Sequence, residues 1–247
     1  MAVLVTRPGK QGLSLCQQLS EVGIASHHHP LIEIQSGEQL SGLEDHISSF
    51  DIIIAVSQYA VSETSQHLTQ KCKSWPTNPI YLAVGQKTAH VLSKATTQQV
   101  HYPDISDSEH LLKQETLQHV ANKKILILRG NGGRELIFET LAERGAIVEY
   151  REVYKRENLA FRSDLLVPLW QDEQITQLVI TSSGQLEYFI SQLNSAELNW
   201  LFALHLYVPS ERIAQNAREA GFKVVTNTLS ASNPVLLAAL QPDRTGQ

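Results

Sequence analysis

The chain has 247 residues, of which 42% are apolar, enough to bury one large core or two modest ones. Its 25 acidic residues outnumber 20 basic ones for a formal charge of −5, which argues against broad attraction to nucleic acid but leaves room for an anionic small ligand met by local donors. No apolar run approaches the length of a bilayer span, and the opening "AVLVTRP" has neither the basic lead nor the cleavage-type ending of a signal peptide. Cys16 and Cys72 lack metal or redox spacing, so a reduced, cytoplasmic protein is expected.

In chain order, "AVLVTRPGKQGLSLCQQLSEVG" (residues 2–23) reads as strand, turn and helix closed by Gly23. "FDIIIAVSQYAVSETSQHL" (50–68) and "IYLAVGQKTAHVL" (80–92) repeat the scheme. It then recurs in the same order as "KILILRGNGGRELIFETLAERG" (124–145), "TQLVITSSGQLEYFISQL" (176–193) and "LHLYVPSERIAQNA" (204–217). Equivalent residues lie at near-constant distances: Arg7 to Arg129 is 122 positions, Ser57 to Ser182 is 125, Val84 to Val208 is 124. The pattern predicts a duplicated α/β chain of parallel βαβ units, helices on both sheet faces, and not a short-period solenoid.

The stretches after Gly23 and Gly145, "ASHHHPLIEIQSG" (25–37) and "AIVEYREVYKRE" (146–157), are β-rich and read as extended crossings. If both cross, the first unit joins the C-terminal pair and the connectors form a hinge beside a cleft. Two sequential domains divided near residue 120 are the alternative.

Taken together, "VLVTRP", "FDIIIAVSQYAV", "YLAVGQKTAHVL", "LRGNGGRELIFETLAERG", "EVYKRE", "LVITSSGQLEYF" and "VPSERIAQNAREAGF" follow the order found in uroporphyrinogen-III synthases, and the chain resembles that family over residues 2–240. The resemblance implies two similar parallel-sheet α/β domains joined by a two-stranded antiparallel connector, the first domain discontinuous. Domain one would then hold residues 1–33 plus 157–241, domain two 38–147, with connecting strands at 27–37 and 148–157. It also implies an activity: hydroxymethylbilane loses water, its ring D is inverted, and the macrocycle closes to uroporphyrinogen III. No metal or organic cofactor is implied. The implied partners are the linear tetrapyrrole and, transiently, hydroxymethylbilane synthase; the implied state is a monomer acting on neither nucleic acid nor membrane.

Such a substrate carries an acetate and a propionate on each pyrrole, and ligands of doubly wound sheets sit outside the carboxyl ends of the strands. The turns there offer Thr6 and Arg7; Ser57 and Gln58; Gly85 and Thr88; Arg129 and Gly130; Ser182 and Ser183; and Ser210 as candidate substrate-binding residues. Each hydroxyl among them also reads as a helix N-cap. Arg134, in "RGNGGRE", suits a bidentate carboxylate contact or an equal one with a surface Glu. The same segment lacks the GK[ST] ending of a P-loop and the dinucleotide spacing, which disfavours a nucleotide-using enzyme. From the resemblance, Tyr154 of "EVYKRE" is the candidate catalytic residue, a phenol placed to donate to the departing hydroxyl; the other reading is a connector aromatic packed on a neighbouring strand. Two departures from the family pattern stand out: Val56–Ser57 in place of Thr–Ser, and "VPSERIA" in place of a Gly–Pro–Thr–Thr turn.

His27, His28 and His29 are consecutive on a strand and point to alternate faces, which speaks against a shared metal. A non-catalytic two-lobed binding module for an anionic small molecule is the remaining rival, since the same turn donors would serve it.

Overall fold

The computed structural model describes residues 2–241. In chain order it contains β1 (Ala2–Val5), α1 (Gly9–Glu21), β2 (Ala25–His28), β3 (Ile32–Ser36), α2 (Leu43–His46), β4 (Ile52–Ala55), α3 (Gln58–Gln70), β5 (Ile80–Ala83), α4 (Gln86–Thr96), β6 (Val100–His101) and α5 (Ser108–Leu111). It continues with β7 (Lys124–Gly130), α6 (Leu136–Glu143), β8 (Ile147–Asn158), α7 (Ser163–Asp172), β9 (Ile175–Val179), α8 (Ser183–Ser191), α9 (Ser195–Ala203), β10 (His205–Val208), α10 (Glu211–Ala220), β11 (Val224–Asn227) and α11 (Asn233–Leu240). The chain divides into two compact units, one made of the residues up to Glu33 and from Glu157 on, the other of Ile34–Arg156.

The first unit holds a five-stranded sheet in the order β11-β10-β9-β1-β2, every pair parallel. In the second the order is β3-β8-β7-β4-β5-β6, with β8-β7, β7-β4, β4-β5 and β5-β6 parallel. Taking β1 for β7, β2 for β8 and β9–β11 for β4–β6 turns the five-strand order into that of the second sheet without its edge strand β3, so each sheet combines strands from both halves of the sequence repeat.

Uninterrupted apolar strands follow from burial on both faces. Along β4, Ile53 and Ala55 enter one core cluster with Leu126 and Leu128 of β7, while Ile52 and Ile54 enter a second with Ile125 and Ile127. β1 divides likewise: Ala2 and Leu4 pack with Trp170 and Phe189, Val3 and Val5 with Leu15 and Leu236. Each such Val, Leu, Ile or Phe side chain is worth about 1.5–3 kcal/mol buried.

The repeated glycines have a repeated cause. Gly23 and Gly145 adopt φ +79° and +84°, and each closes its helix in the same way. Gly23 N donates to Ser20 O and Ile24 N to Leu19 O; Gly145 N donates to Ala142 O and Ala146 N to Leu141 O. That double closure needs a left-handed residue, which glycine supplies without a Cβ penalty.

Residues 25–37 are two strands and not a single crossing. β2 is the edge of the first sheet and β3 belongs to the second, with His29–Pro30–Leu31 between them. Backbone bonding to the β1 edge runs past Pro30, with His29 N donating to Val5 O and Leu31 N to Thr6 O, before the chain enters β3.

Candidate active site

Strand ends and helix starts meet at the carboxyl edge of each sheet. In the second unit Ser57 precedes α3, Gly85 precedes α4, and β7 ends at Arg129–Gly130. In the first, Thr6–Arg7 follow β1, Ser182 precedes α8 and Ser210 precedes α10. The first-turn amides of these helices have no intrahelical acceptor and carry the positive end of the helix dipole.

Capping accounts for part of the hydroxyl pattern. Ser57 Oγ accepts from Ala60 N at 3.2 Å and Ser182 Oγ from Gln185 N at 3.3 Å, whereas Gly85 and Ser210 make no side-chain cap. Thr6 is fully buried and its hydroxyl is spent on Val179 O at 2.7 Å. Arg7, also buried, reaches across to Asn233 Oδ1 and donates to Gln11 Oε1 at 2.6 Å, tying β1 to α11 and α1. Ser183 Oγ accepts from Arg212 at 2.9 Å. Gln58 opens α3 half-buried, and Thr88 lies buried in the first turn of α4.

A cavity of about 170 Å³ opens at the carboxyl edge of the second sheet, lined by Val56, Val84, Arg129, Arg134, Ile137 and Tyr150. Arg129 is only 6% exposed. Its guanidinium lies 4.4 Å from the Tyr150 ring centroid, pairs with Glu135 at 2.9 Å and donates from Nε to Gly130 O. Burial, with the Glu135 carboxylate alongside, pushes the Tyr150 phenol up to about 12. Arg134 faces outward in a bidentate pair with Glu109, the surface-Glu arrangement that its sequence left open.

Tyr154 is not an open side chain: it is 1% exposed. Its ring lies directly over Gly130, where an added Cβ would stand 2.4 Å from Cζ and 2.9 Å from Oη. Tyr59 packs nearby with ring centroids 5.8 Å apart. The phenol oxygen accepts from Ser57 Oγ at 3.0 Å and from Arg156 Nη2 at 2.8 Å. Ser57 therefore serves helix α3 and Tyr154 together. With both acceptor positions of the oxygen occupied, the phenol's own proton is left to be donated elsewhere.

Sequence reasoning missed Arg156. Residues 154 and 156 of one strand share a face, a signal that was available. Asn131 accepts from Arg156 N at 2.7 Å and donates to Arg156 O at 3.3 Å, which continues the β7–β8 ladder one residue beyond Gly130 by means of a side chain.

The three consecutive histidines go to three different partners: His27 to Glu173, His28 to Arg7 O, and His29 into the rings of Phe161 and Trp170. Among the described residues no three His, Cys, Asp or Glu side chains gather as a metal site requires.

The model of the family described as uroporphyrinogen-III synthase HemD matches residues 14–232. A uroporphyrinogen-III synthase from Escherichia coli (strain K12) is 39% identical over 246 residues, covering 98% of this chain and all of that protein. One from Salmonella typhimurium (strain LT2) is 37% identical with the same coverage. Among solved structures, a mutant uroporphyrinogen III synthase from the extremely thermophilic bacterium Thermus thermophilus superposes with a TM-score of 0.64 at 16% identity over 97% of each chain. The synthetase from Helicobacter pylori 26695 gives 0.59 at 16% identity, over 97% of this chain and 99% of that one. At such low identity the structures speak for the α/β fold with parallel sheets; the sequence matches, which run along nearly the whole length, place this chain in the uroporphyrinogen-III synthase family.

Proposed function

We infer that this chain cyclises hydroxymethylbilane to uroporphyrinogen III with loss of water and inversion of ring D. The observation that carries the reading is the 39% identity to the Escherichia coli synthase across 98% of the chain. Reaction begins as the electron-rich pyrrole expels hydroxide from the hydroxymethyl group, with Tyr154 O–H donating to the leaving oxygen. The azafulvene cation is then attacked by the substituted carbon of ring D, giving a spiro intermediate that opens and recloses inverted. Unassisted closure uses the free position and gives the symmetrical isomer, so placement of the chain matters more than acid strength.

The substrate carboxylates are met at the carboxyl edges of the sheets: by Ser57, Gln58, Gly85, Thr88, Arg129, Gly130 and Arg134 in the second unit, and by the turns at Arg7, Ser182–Ser183 and Ser210 in the first, where Thr6, buried and bonded to Val179 O, anchors the edge. Helix N-terminal amides favour such anions. β3 and β8 act as a two-stranded antiparallel connector between a discontinuous first domain and the second. Two backbone bonds support that reading, Leu159 N to Leu31 O and Gly37 N to Val153 O, since six residues forward along one strand is six back along the other. A cytoplasmic monomer with transient contact to hydroxymethylbilane synthase completes the reading. The free Cys16 and Cys72 suit a reducing compartment, and among the described residues no helix is long and apolar enough to cross a membrane.

The test is isomer analysis. Freshly generated hydroxymethylbilane is incubated with the purified chain and the oxidised product resolved into type I and type III. Type III is expected. Type I alone, formed at the spontaneous rate, would overturn the reading in favour of a binding module.

A further inference from the structure

Arg156 differs from the other arginines of its own unit. Arg129, Arg134 and Arg151 each face a carboxylate and Arg144 holds two backbone carbonyls, whereas the guanidinium of Arg156 donates to a neutral phenol. Its guanidinium carbon stands 5.2 Å from the Tyr154 ring centroid, and Arg156 is exposed while the tyrosine beneath it is 1% exposed. The backbone of Arg156 is clamped at both N–H and C=O by the Asn131 amide. The side chain can therefore leave the phenol by rotating about its own bonds, with no shift of β8.

We propose that Arg156 is a receptor for a substrate carboxylate and that its capture uncovers the Tyr154 hydroxyl. A guanidinium prefers a carboxylate, which takes two parallel charge-assisted bonds, over a phenol, which takes one. Ser57 stays on the phenol oxygen when Arg156 departs, so Tyr154 keeps its orientation as its outer side opens. An acidic substrate thus makes its own proton donor accessible, and Tyr154 is covered in its absence. The inference rests on the reading of Tyr154 as donor to the leaving hydroxyl.

Steady-state kinetics on hydroxymethylbilane with Arg156→Gln, Arg156→Lys and Tyr154→Phe test it. Arg156 is exposed, so its replacement spares the core. Arg156→Gln is expected to raise KM about tenfold, the scale of one lost charge-assisted hydrogen bond, with kcat changing far less. Arg156→Lys, which keeps the charge but loses the fork, is expected to recover part of that rise. If Arg156→Gln leaves KM unaltered, or lowers kcat alone, the carboxylate receptor is refuted while Tyr154 stands. If instead Tyr154→Phe retains full kcat, the donor reading itself fails, whatever Arg156 does.

Discussion

Replacing Gly130 by alanine is the most direct probe of how Tyr154 is held. The backbone there lies outside the left-handed region, so alanine adopts it without strain and the effect is purely steric. The new Cβ would sit 2.4 and 2.5 Å from two ring carbons of Tyr154, well inside van der Waals contact. At 1% exposure the ring cannot yield without moving its neighbours. Overpacking of this kind costs about 1–3 kcal/mol, and tilting the ring off Ser57 and Arg156 forfeits about 1 kcal/mol for each hydrogen bond. A total of about 3–5 kcal/mol corresponds to a melting point lower by roughly 6–20 °C for a chain of this size. Turnover is expected to fall with it, since the phenol leaves its place. Gly184→Ala is the control: nothing lies within 4 Å of its added Cβ, and in the first turn of α8 alanine is expected to stabilise by up to about 0.5 kcal/mol. Thermal melts and isomer-resolved turnover read both variants. A Gly130→Ala protein that melts and turns over like the parent would refute the claim that this glycine reserves space for Tyr154.

Tyr154→Phe is expected to lower kcat by about tenfold or more, at the low end for a general acid because the pyrrole already drives hydroxide out; the rate of type III formation measures it. Ser57→Ala removes a cap and one bond to the phenol, and a stability loss of about 1 kcal/mol with only a modest drop in turnover is expected from melts and kinetics. His29 lies among the rings of Phe161 and Trp170, and burial, then the neighbouring His28, holds its pKa below the ordinary value. The unfolded chain therefore takes up the proton first as pH falls, so this contribution is present above about pH 6.5 and is lost below it; urea midpoints at pH 7.5 and 5.5 should fall less in His29→Phe than in the parent.

The parts of the fold that local chemistry dictates were legible. Strands β4 and β7 announce themselves as apolar runs because both sheet faces are covered, and Gly23 and Gly145 mark helix ends because the closing turn needs a left-handed residue. The division of residues 25–37 into β2 and β3 was not legible, because β-rich residues lie on both sides of it. The site was less legible because its decisive contacts join distant positions. That Gly130 must be glycine depends on the β7–β8 register, which shifts between Arg129 and Gly130 and sets Gly130 opposite Tyr154. The partner of Arg134, Glu109, lies 25 residues back on another element, and no spacing rule connects them. Arg156 was readable in principle from strand alternation, but its role emerges only once Tyr154 is found buried beneath it.

Net charge explains why that one arginine carries so much weight. A chain at −5 that handles a polycarboxylate cannot rely on a general positive field. Where an arginine already holds a carboxylate, as Arg129 holds Glu135 and Arg134 holds Glu109, a substrate carboxylate exchanges one acid for another and creates no new charge pair. Where the resident partner is neutral, exchange creates a charge pair that did not exist before. Arg156 on Tyr154 is that case, and the helix N-terminal turns at Gly85 and Ser210, which carry no side-chain cap, add uncharged amide donors. Binding energy is thereby concentrated at fixed points of the scaffold, and fixed points are what a reaction needs when the pyrrole supplies most of the drive to the cation and the geometry of ring closure separates one isomer from the other.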